Sequence, residues 1–376
     1  MKNVNLHIYP SDMVYESRIF KQVRFISKNY DFEKIILLGI WRDGISKNQL
    51  LENKIHIKRI FLLNIQNRSI LYLYYLIYVF VFILLNRPIL VNIHTLEFLP
   101  LVFIAKIFKI KIIYDCHELE TEKNNLKGLR KKLSKWLEYL LIKKADHIFV
   151  VSENIADWYE KTYNIPRPTV LFNAPRAAHF KKTNYFKDTF YLRNDQIILL
   201  YQGELAAGRG VEILLEAFKK NTNDKIVIVF MGYGEFEREI QSASKLYNNI
   251  FFHKAVPVDE LLNFTASADA GIALIKNTCL SYNFCMPNKL FEYAMAGLPV
   301  IVSNVKEMSE FVKKHQMGVV VEDDTVASLN EAIERLLSMD LTVLKQNAKK
   351  AALDNSWEHQ EKKMRNIYQK LINDMQ

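Results

Sequence analysis

Short apolar runs alternate with longer stretches of helical periodicity along almost the whole chain, the pattern of βα units and parallel sheet. In the first half, the runs that read as strands are Val4–Tyr9, Lys34–Leu38, Ile89–Ile93, Ile110–Tyr114, His147–Val151 and Thr169–Leu171. Helical periodicity fills Tyr15–Ser27, Leu96–Phe108, Leu126–Lys144 and Ile155–Tyr163. A polar stretch spiked with aromatics, Asn173–Asn194, then breaks the rhythm. The second half restarts at Ile197–Gln202 and continues through Ile226–Met231, Ile250–His253, Ala270–Ile275, Val300–Val302 and Val319–Val321, each followed by a helical pattern. The expectation is an α/β chain of two sequential doubly wound domains with parallel sheets, residues 1–176 and 195–356, joined by a linker at 177–194.

Two stretches of the first half are unusual. Ile70–Leu85 is sixteen apolar residues without a break, four of them tyrosines. As a helix it is about 24 Å long, short of the ~30 Å hydrocarbon core of a bilayer. A buried crossover helix and a helix lying in a membrane interface both fit it. Leu126–Lys144 is a basic amphipathic helix, with Leu129, Leu133, Trp136, Leu137 and Leu140 on one stripe and Lys127, Arg130, Lys131, Lys135 and Lys143 around the rest.

Charge sharpens that picture. The chain carries a formal +10, and residues 1–176 hold 27 Lys and Arg against 16 Asp and Glu, so the whole basic excess lies in the first half. Such asymmetry calls for an anionic partner of that half alone. The adjacent apolar run favours a phospholipid surface over nucleic acid. Three cysteines without CxxC or metal-finger spacing make no disulfide framework, which fits a reducing compartment. MKNVNLHIYPSD has no apolar core of a cleavable signal. The expected place is the cytoplasm, peripherally on the inner face of the cell membrane.

The chemistry concentrates in the second half. Tyr201–Gly210, YQGELAAGRG, leaves a strand and opens a helix, so Gly203 and its neighbours let backbone amides approach a phosphate while Arg209 adds charge. MGYGE, with Gly232 and Gly234, follows the next strand. Glu237 stands where GxGxxG needs its third glycine, so a nicotinamide fingerprint is poorly supported. Met286–Ile301, MPNKLFEYAMAGLPVI, reads as a helix framed by Pro287 and Gly297. Its first turn, Asn288, Lys289 and Leu290, offers amides, a positive dipole end and a cation to a diphosphate. Glu292 lies one turn beyond Asn288, where a carboxylate can accept the two hydroxyls of a ribose.

These blocks in this order resemble family four of the retaining glycosyltransferases, within the GT-B superfamily. YDCHE at Tyr114–Glu118, ADHIFVVSENI at Ala145–Ile155, VLFNAP at Val170–Pro175 and the terminal NSWEHQEKKMRNIY extend the resemblance over essentially the whole chain. PNK before the helix is similar to a branch that builds bacterial surface polysaccharides. The resemblance implies two Rossmann-like domains facing a cleft, with the last helix, residues 357–376, returning to the first. Arg209 then matches the second basic residue of the family's diphosphate clamp, and Glu292 the second glutamate of Glu-x7-Glu. Gly232 and Gly234 match the nucleotide-binding turn, and Phe252–Lys254, with His253, lies alongside the base. His117 and Glu118 fall where the first domain meets the transferred sugar and the acceptor. Glu204 stands at the clamp's first basic position and Phe284 at the first motif glutamate. Arg209 and Lys289 are therefore left to supply the positive charge.

The implied activity is transfer of a hexosyl or N-acetylhexosaminyl group from a nucleotide-diphosphate sugar, a UDP-sugar favoured, to a lipid-linked or glycan acceptor. Neither cofactor nor metal is expected, since no convincing DxD triplet or His/Cys cluster occurs. His94, in NIHTLE, is a second first-half histidine that suits either a site or a structural role. A nucleotide-sugar epimerase on the same plan and a non-catalytic carbohydrate or lipid binder remain as alternatives.

Overall fold

The alternating runs become two parallel sheets, each in its own unit, in a computed structural model that describes residues 2–61, 68–124, 126–178, 180 and 183–375. The first unit comprises Met1–Leu171 and Glu361–Gln376; the second comprises Phe172–Gln360.

The first unit holds β1 (Lys2–Ile8), β2 (Lys34–Ile40), β3 (Asn48–Glu52), β4 (Ile55–Ile60), β5 (Pro88–Ile93), β6 (Lys111–Asp115), β7 (His147–Val150) and β8 (Thr169–Val170). Their order across the sheet is β3-β4-β2-β1-β5-β6-β7-β8, and only the β3–β4 pair is antiparallel. Central strands such as Ile35–Gly39 are buried on both faces, as a sheet covered by helices on each side requires. β3 and β4 are not among the expected strands. β4, between β3 and β2, does alternate in part, with Ile55 and Ile57 buried and Lys58 exposed.

The second unit holds β9 (Ile197–Glu204), β10 (Ile226–Tyr233), β11 (Ile250–Lys254), β12 (Ala270–Ala273), β13 (Val300–Ser303) and β14 (Gly318–Val321). The order β11-β10-β9-β12-β13-β14 reverses between β9 and β12. Both sheets thus have a switch point, β1/β5 in the first and β9/β12 in the second. In open α/β sheets, ligands bind outside the carboxyl ends of strands at such points.

The stretch expected as a linker is only partly one. Positions 179, 181 and 182 lie outside the described residues, but Tyr185–Thr189 forms a helix whose Phe186 is fully buried against Phe190 and His253. Phe172 packs on Phe291 and Phe311, so the chain joins the second unit five residues before the expected boundary. The terminal helix, Trp357–Asn373, leaves that unit and enters the first. There the Tyr368 hydroxyl donates to Asn92 Oδ1 at 2.7 Å, and the Lys363 amine donates to the Val170 carbonyl at 2.9 Å.

Candidate donor and histidine sites

In the second unit, the carboxyl ends of β9 and β10 meet the start of the Asn288–Met295 helix. Gly232 pairs with Gly203 across the two strands. A Cβ on Gly232 would sit 1.8 Å from the Gly203 carbonyl oxygen, so only glycine permits this approach. Gly234, at φ +146°, closes the turn against Leu205. The Lys289 side chain lies beside Gly203, with its ammonium 3.9 Å from the centroid of the Tyr201 ring. Arg209 stacks over Tyr282 at 5.5 Å. Among the described residues, neither cation forms an ion pair with a carboxylate. Burial, reinforced by the Arg209 charge, pulls the Lys289 ammonium down to about 7. Glu292 and Glu204 act on Lys289 in the opposite sense but close no ion pair with it, so the two half-buried basic groups make a site that gains by taking up an anion.

That geometry predicts proton uptake. A bound diphosphate favours the charged amine, so nucleotide-sugar affinity should fall as pH rises through 7, by at most about tenfold per unit. Titration calorimetry at pH 7.5 in buffers of different ionisation heat should show more than about half a proton taken up per donor bound. Zero uptake would remove Lys289 from the diphosphate.

Glu292 is oriented by the sheet. Gln202 Nε2 donates to Glu292 Oε2 at 2.6 Å, and Thr265 Oγ1 lies 2.8 Å from Gln202 Oε1, which fixes the amide's direction. The Tyr293 hydroxyl accepts from the Gln202 amide at 2.9 Å and donates to the Ile272 carbonyl, tying the helix to β9 and β12. Asn288 is exposed at the helix start. Leu290 differs from the expectation: its side chain is in the core and its amide donates to the Pro287 carbonyl at 3.1 Å. His253 also has its nitrogens engaged, Nε2 with the Tyr185 hydroxyl at 3.0 Å and Nδ1 with the Lys254 carbonyl at 2.7 Å. It is a wall residue clasped by a tyrosine from the supposed linker. Gln202, Thr265, Tyr201 and Tyr185 were not foreseen.

In the first unit, His117 sits just beyond β6, at the end of a polar network centred on Asp115. Arg18 donates from Nε and NH2 to the Asp115 carboxylate, at 3.0 and 2.6 Å, and Gln22 adds a bond at 2.7 Å. His94 Nδ1 lies 3.3 Å from Asp115 Oδ2 and 3.0 Å from His117 Nε2, and His94 Nε2 lies 3.0 Å from His7 Nδ1. Burial opposes ionisation of Asp115, but Arg18 and the two imidazoles hold its carboxyl well below the usual range. Burial keeps His94 neutral by pushing it down to about 4. His94, Asp115 and His117 offer three donor atoms within 4.8 Å of one another. Arg18, Gln22 and one imidazole already use the four lone pairs of the carboxylate, so the arrangement reads as a hydrogen-bonded cluster. Tyr9 packs 5.3 Å from His117, and Glu118 pairs with Lys123 at 3.0 Å, which also holds the buried Glu120. His94 is therefore part of the network that orients His117. Asp115, Arg18 and His7 were not anticipated.

Residues 40–174 match the family model described as Glycosyltransferase Family 4, and residues 185–353 match that of group 1 glycosyl transferases. Among curated proteins, the lipopolysaccharide 1,2-N-acetylglucosaminetransferase of Salmonella typhimurium is 25% identical over 179 residues, 44% of this chain and 46% of that one. The matches span 46–62% of the lengths of the curated relatives. Among solved structures, sucrose-phosphate synthase from Thermosynechococcus elongatus superposes with a TM-score of 0.81 at 14% identity, covering 99% of each chain. Anabaena HepE, solved in complex with UDP and glucose, gives a TM-score of 0.73 at 12% identity, covering 98% of this chain and 100% of that one. Both halves of the chain thus match glycosyltransferase family models, and the two switch-point sheets and the terminal helix of this chain give it the GT-B fold of these solved structures.

Proposed function

We propose that the chain is a retaining glycosyltransferase that moves a sugar from a nucleotide-diphosphate donor, UDP-linked, to a lipid-linked or glycan acceptor of a bacterial surface polysaccharide. The observation that carries the reading is the pair of unpaired cations, Arg209 and Lys289, beside the Gln202-held carboxylate of Glu292. The cations take the diphosphate and Glu292 takes the ribose. As the bond from the anomeric carbon to the diphosphate oxygen breaks, the leaving group gains charge that the fixed cations and the helix start stabilise. The acceptor hydroxyl bonds to the anomeric carbon on the same face and passes its proton to the departing diphosphate. The acceptor side falls to His117 and Glu118. The UDP and glucose in the HepE structure and the lipopolysaccharide 1,2-N-acetylglucosaminetransferase of Salmonella support the substrate classes. The basic excess of residues 1–176 supports work at the inner face of an anionic membrane.

Product analysis with and without a lipid-linked acceptor tests this. A transferase forms nucleoside diphosphate in step with a glycosylated acceptor, whereas an epimerase alters the sugar without acceptor and a binder does neither. Glu292→Ala should lower donor affinity roughly 10- to 100-fold, the worth of about 1.5–3 kcal/mol for a hydrogen bond to a charged group. No metal takes part in this reading, so activity should survive a chelator. Full loss restored by Mg²⁺ or Mn²⁺ would overturn that part.

A further inference from the structure

We infer that the first unit attaches to an anionic leaflet by inserting side chains of the Arg68–Asn86 and Gly128–Leu141 helices, and not by surface charge alone. The inference rests on the membrane part of the function proposed above and gives it a mode.

Twenty-five large apolar side chains are exposed among the described residues, and fifteen of them lie on these two helices and on Val102–Ile107. Apolar patches of that extent on a soluble protein mark an interaction face. The Arg68–Asn86 helix buries Tyr75, Val79, Phe82 and Ile83, at one-turn spacing, against its own unit. Its other face carries Leu73, Ile77, Val81 and Leu85, all exposed, where a solvated helix would be polar.

The Gly128–Leu141 helix is inverted. It buries only Glu138 and Leu141, and turns Leu129, Leu133, Trp136 and Leu140 outward, with Trp136 61% exposed. Polar clamps hold it down. Glu138 accepts from the hydroxyls of Tyr114, Tyr159 and Tyr163 at 2.9, 2.7 and 2.6 Å. Lys131 and Lys135 both pair with Glu122. Those two lysines, read from the sequence as part of the lipid-facing charge, are thus used inside the protein. Both helices pack on the same turn, Leu96–Leu101, and Phe103 and Ile107 are exposed on the short helix that follows it.

The occupant follows from the rim. Lys144 lies 5.5 Å from the Phe103 ring, Lys143 5.3 Å from Tyr139 and Arg87 4.9 Å from Phe108. Arg130 and Lys132 are exposed among the outward leucines. Cations bordering an aromatic and aliphatic field match the headgroup and upper acyl zones of an anionic leaflet. The field cannot cross the bilayer, because no helix among the described residues is long and apolar enough.

Trp136 is a built-in depth probe. With vesicles of phosphatidylcholine and phosphatidylglycerol, acyl-chain-brominated lipid should quench its fluorescence, and Trp136→Phe should lose that lipid-dependent signal. Quenching should persist at 1 M salt, where charge is screened within about 3 Å. Leu129→Asp with Leu133→Asp should lower vesicle partitioning at least about tenfold while donor binding is unchanged. Co-sedimentation that salt fully releases, without Trp136 quenching, would sink insertion and leave the surface reading standing. No sedimentation at all would end both. A lipid-free dimer that hides Trp136 from a soluble quencher would assign the face to a second copy and overturn the inference.

Discussion

Arg209→Ala is expected to turn over about 10²–10³ times more slowly than the parent at saturating donor, with an unchanged fold. Arg209 precedes the Val211–Lys220 helix in a half-buried position, with its guanidinium over the Tyr282 ring, so removing it strips no core packing. What it removes is positive charge where the leaving diphosphate becomes more negative, and an interaction strongest in the transition state appears in kcat. Lys289→Met should act in the same direction and also abolish the proton uptake described above. The double variant should lose less than the product of the single losses, because Arg209 depresses the Lys289 ammonium and the two share one anion. Single-turnover rates with saturating donor provide the measurement. Normal turnover in Arg209→Ala would dissolve the donor-site assignment, whatever the fold.

The sequence made this site partly legible because its parts are local. Gly203 and Gly232 stand near the ends of β9 and β10, Arg209 and Gly234 in the turns that follow, and Lys289 and Glu292 on one helical turn, so each group is read from one short segment. The groups that orient them are not local. Gln202 holds Glu292 ninety residues away in sequence, and Tyr185 reaches His253 from a stretch without strong periodicity. The Asp115 network is more dispersed still. Arg18 comes from a helix, His7 from β1 and His94 from the end of β5, and only the strand order β1-β5-β6 brings them together. No pattern within one segment reports such a meeting. The fold was easier to read because buried parallel strands are continuous apolar runs. β3, mostly exposed, gave no such run and was missed. The inverted Gly128–Leu141 helix shows the limit of periodicity: it gives the stripe but not the side on which the stripe lies.

The same dispersed network yields the largest expected effect on stability. Arg18→Ala should destabilise the first unit by about 3–5 kcal/mol at neutral pH, because it leaves the Asp115 charge buried without its main partner. The guanidinium also donates to the Leu171 carbonyl at 2.6 Å, so its loss frees a second buried acceptor. The pH dependence has a fixed sign. In the parent, the Asp115 carboxyl lies below its unfolded value, so its stabilisation is present above that value and is lost as pH falls through the folded one. Without Arg18, the buried carboxyl shifts upward, and His94, pushed down to about 4 in the parent, becomes the nearest group able to charge in compensation. Both changes take up protons, so the penalty should be greatest near pH 7 and shrink as the solution is acidified. Urea unfolding followed by tryptophan emission is suited to the test, since Trp41, Trp136 and Trp158 lie in the first unit and Trp357 in the second. Equal midpoints for parent and variant at pH 7, or a penalty that grows toward acid, would show that Arg18 does not neutralise Asp115.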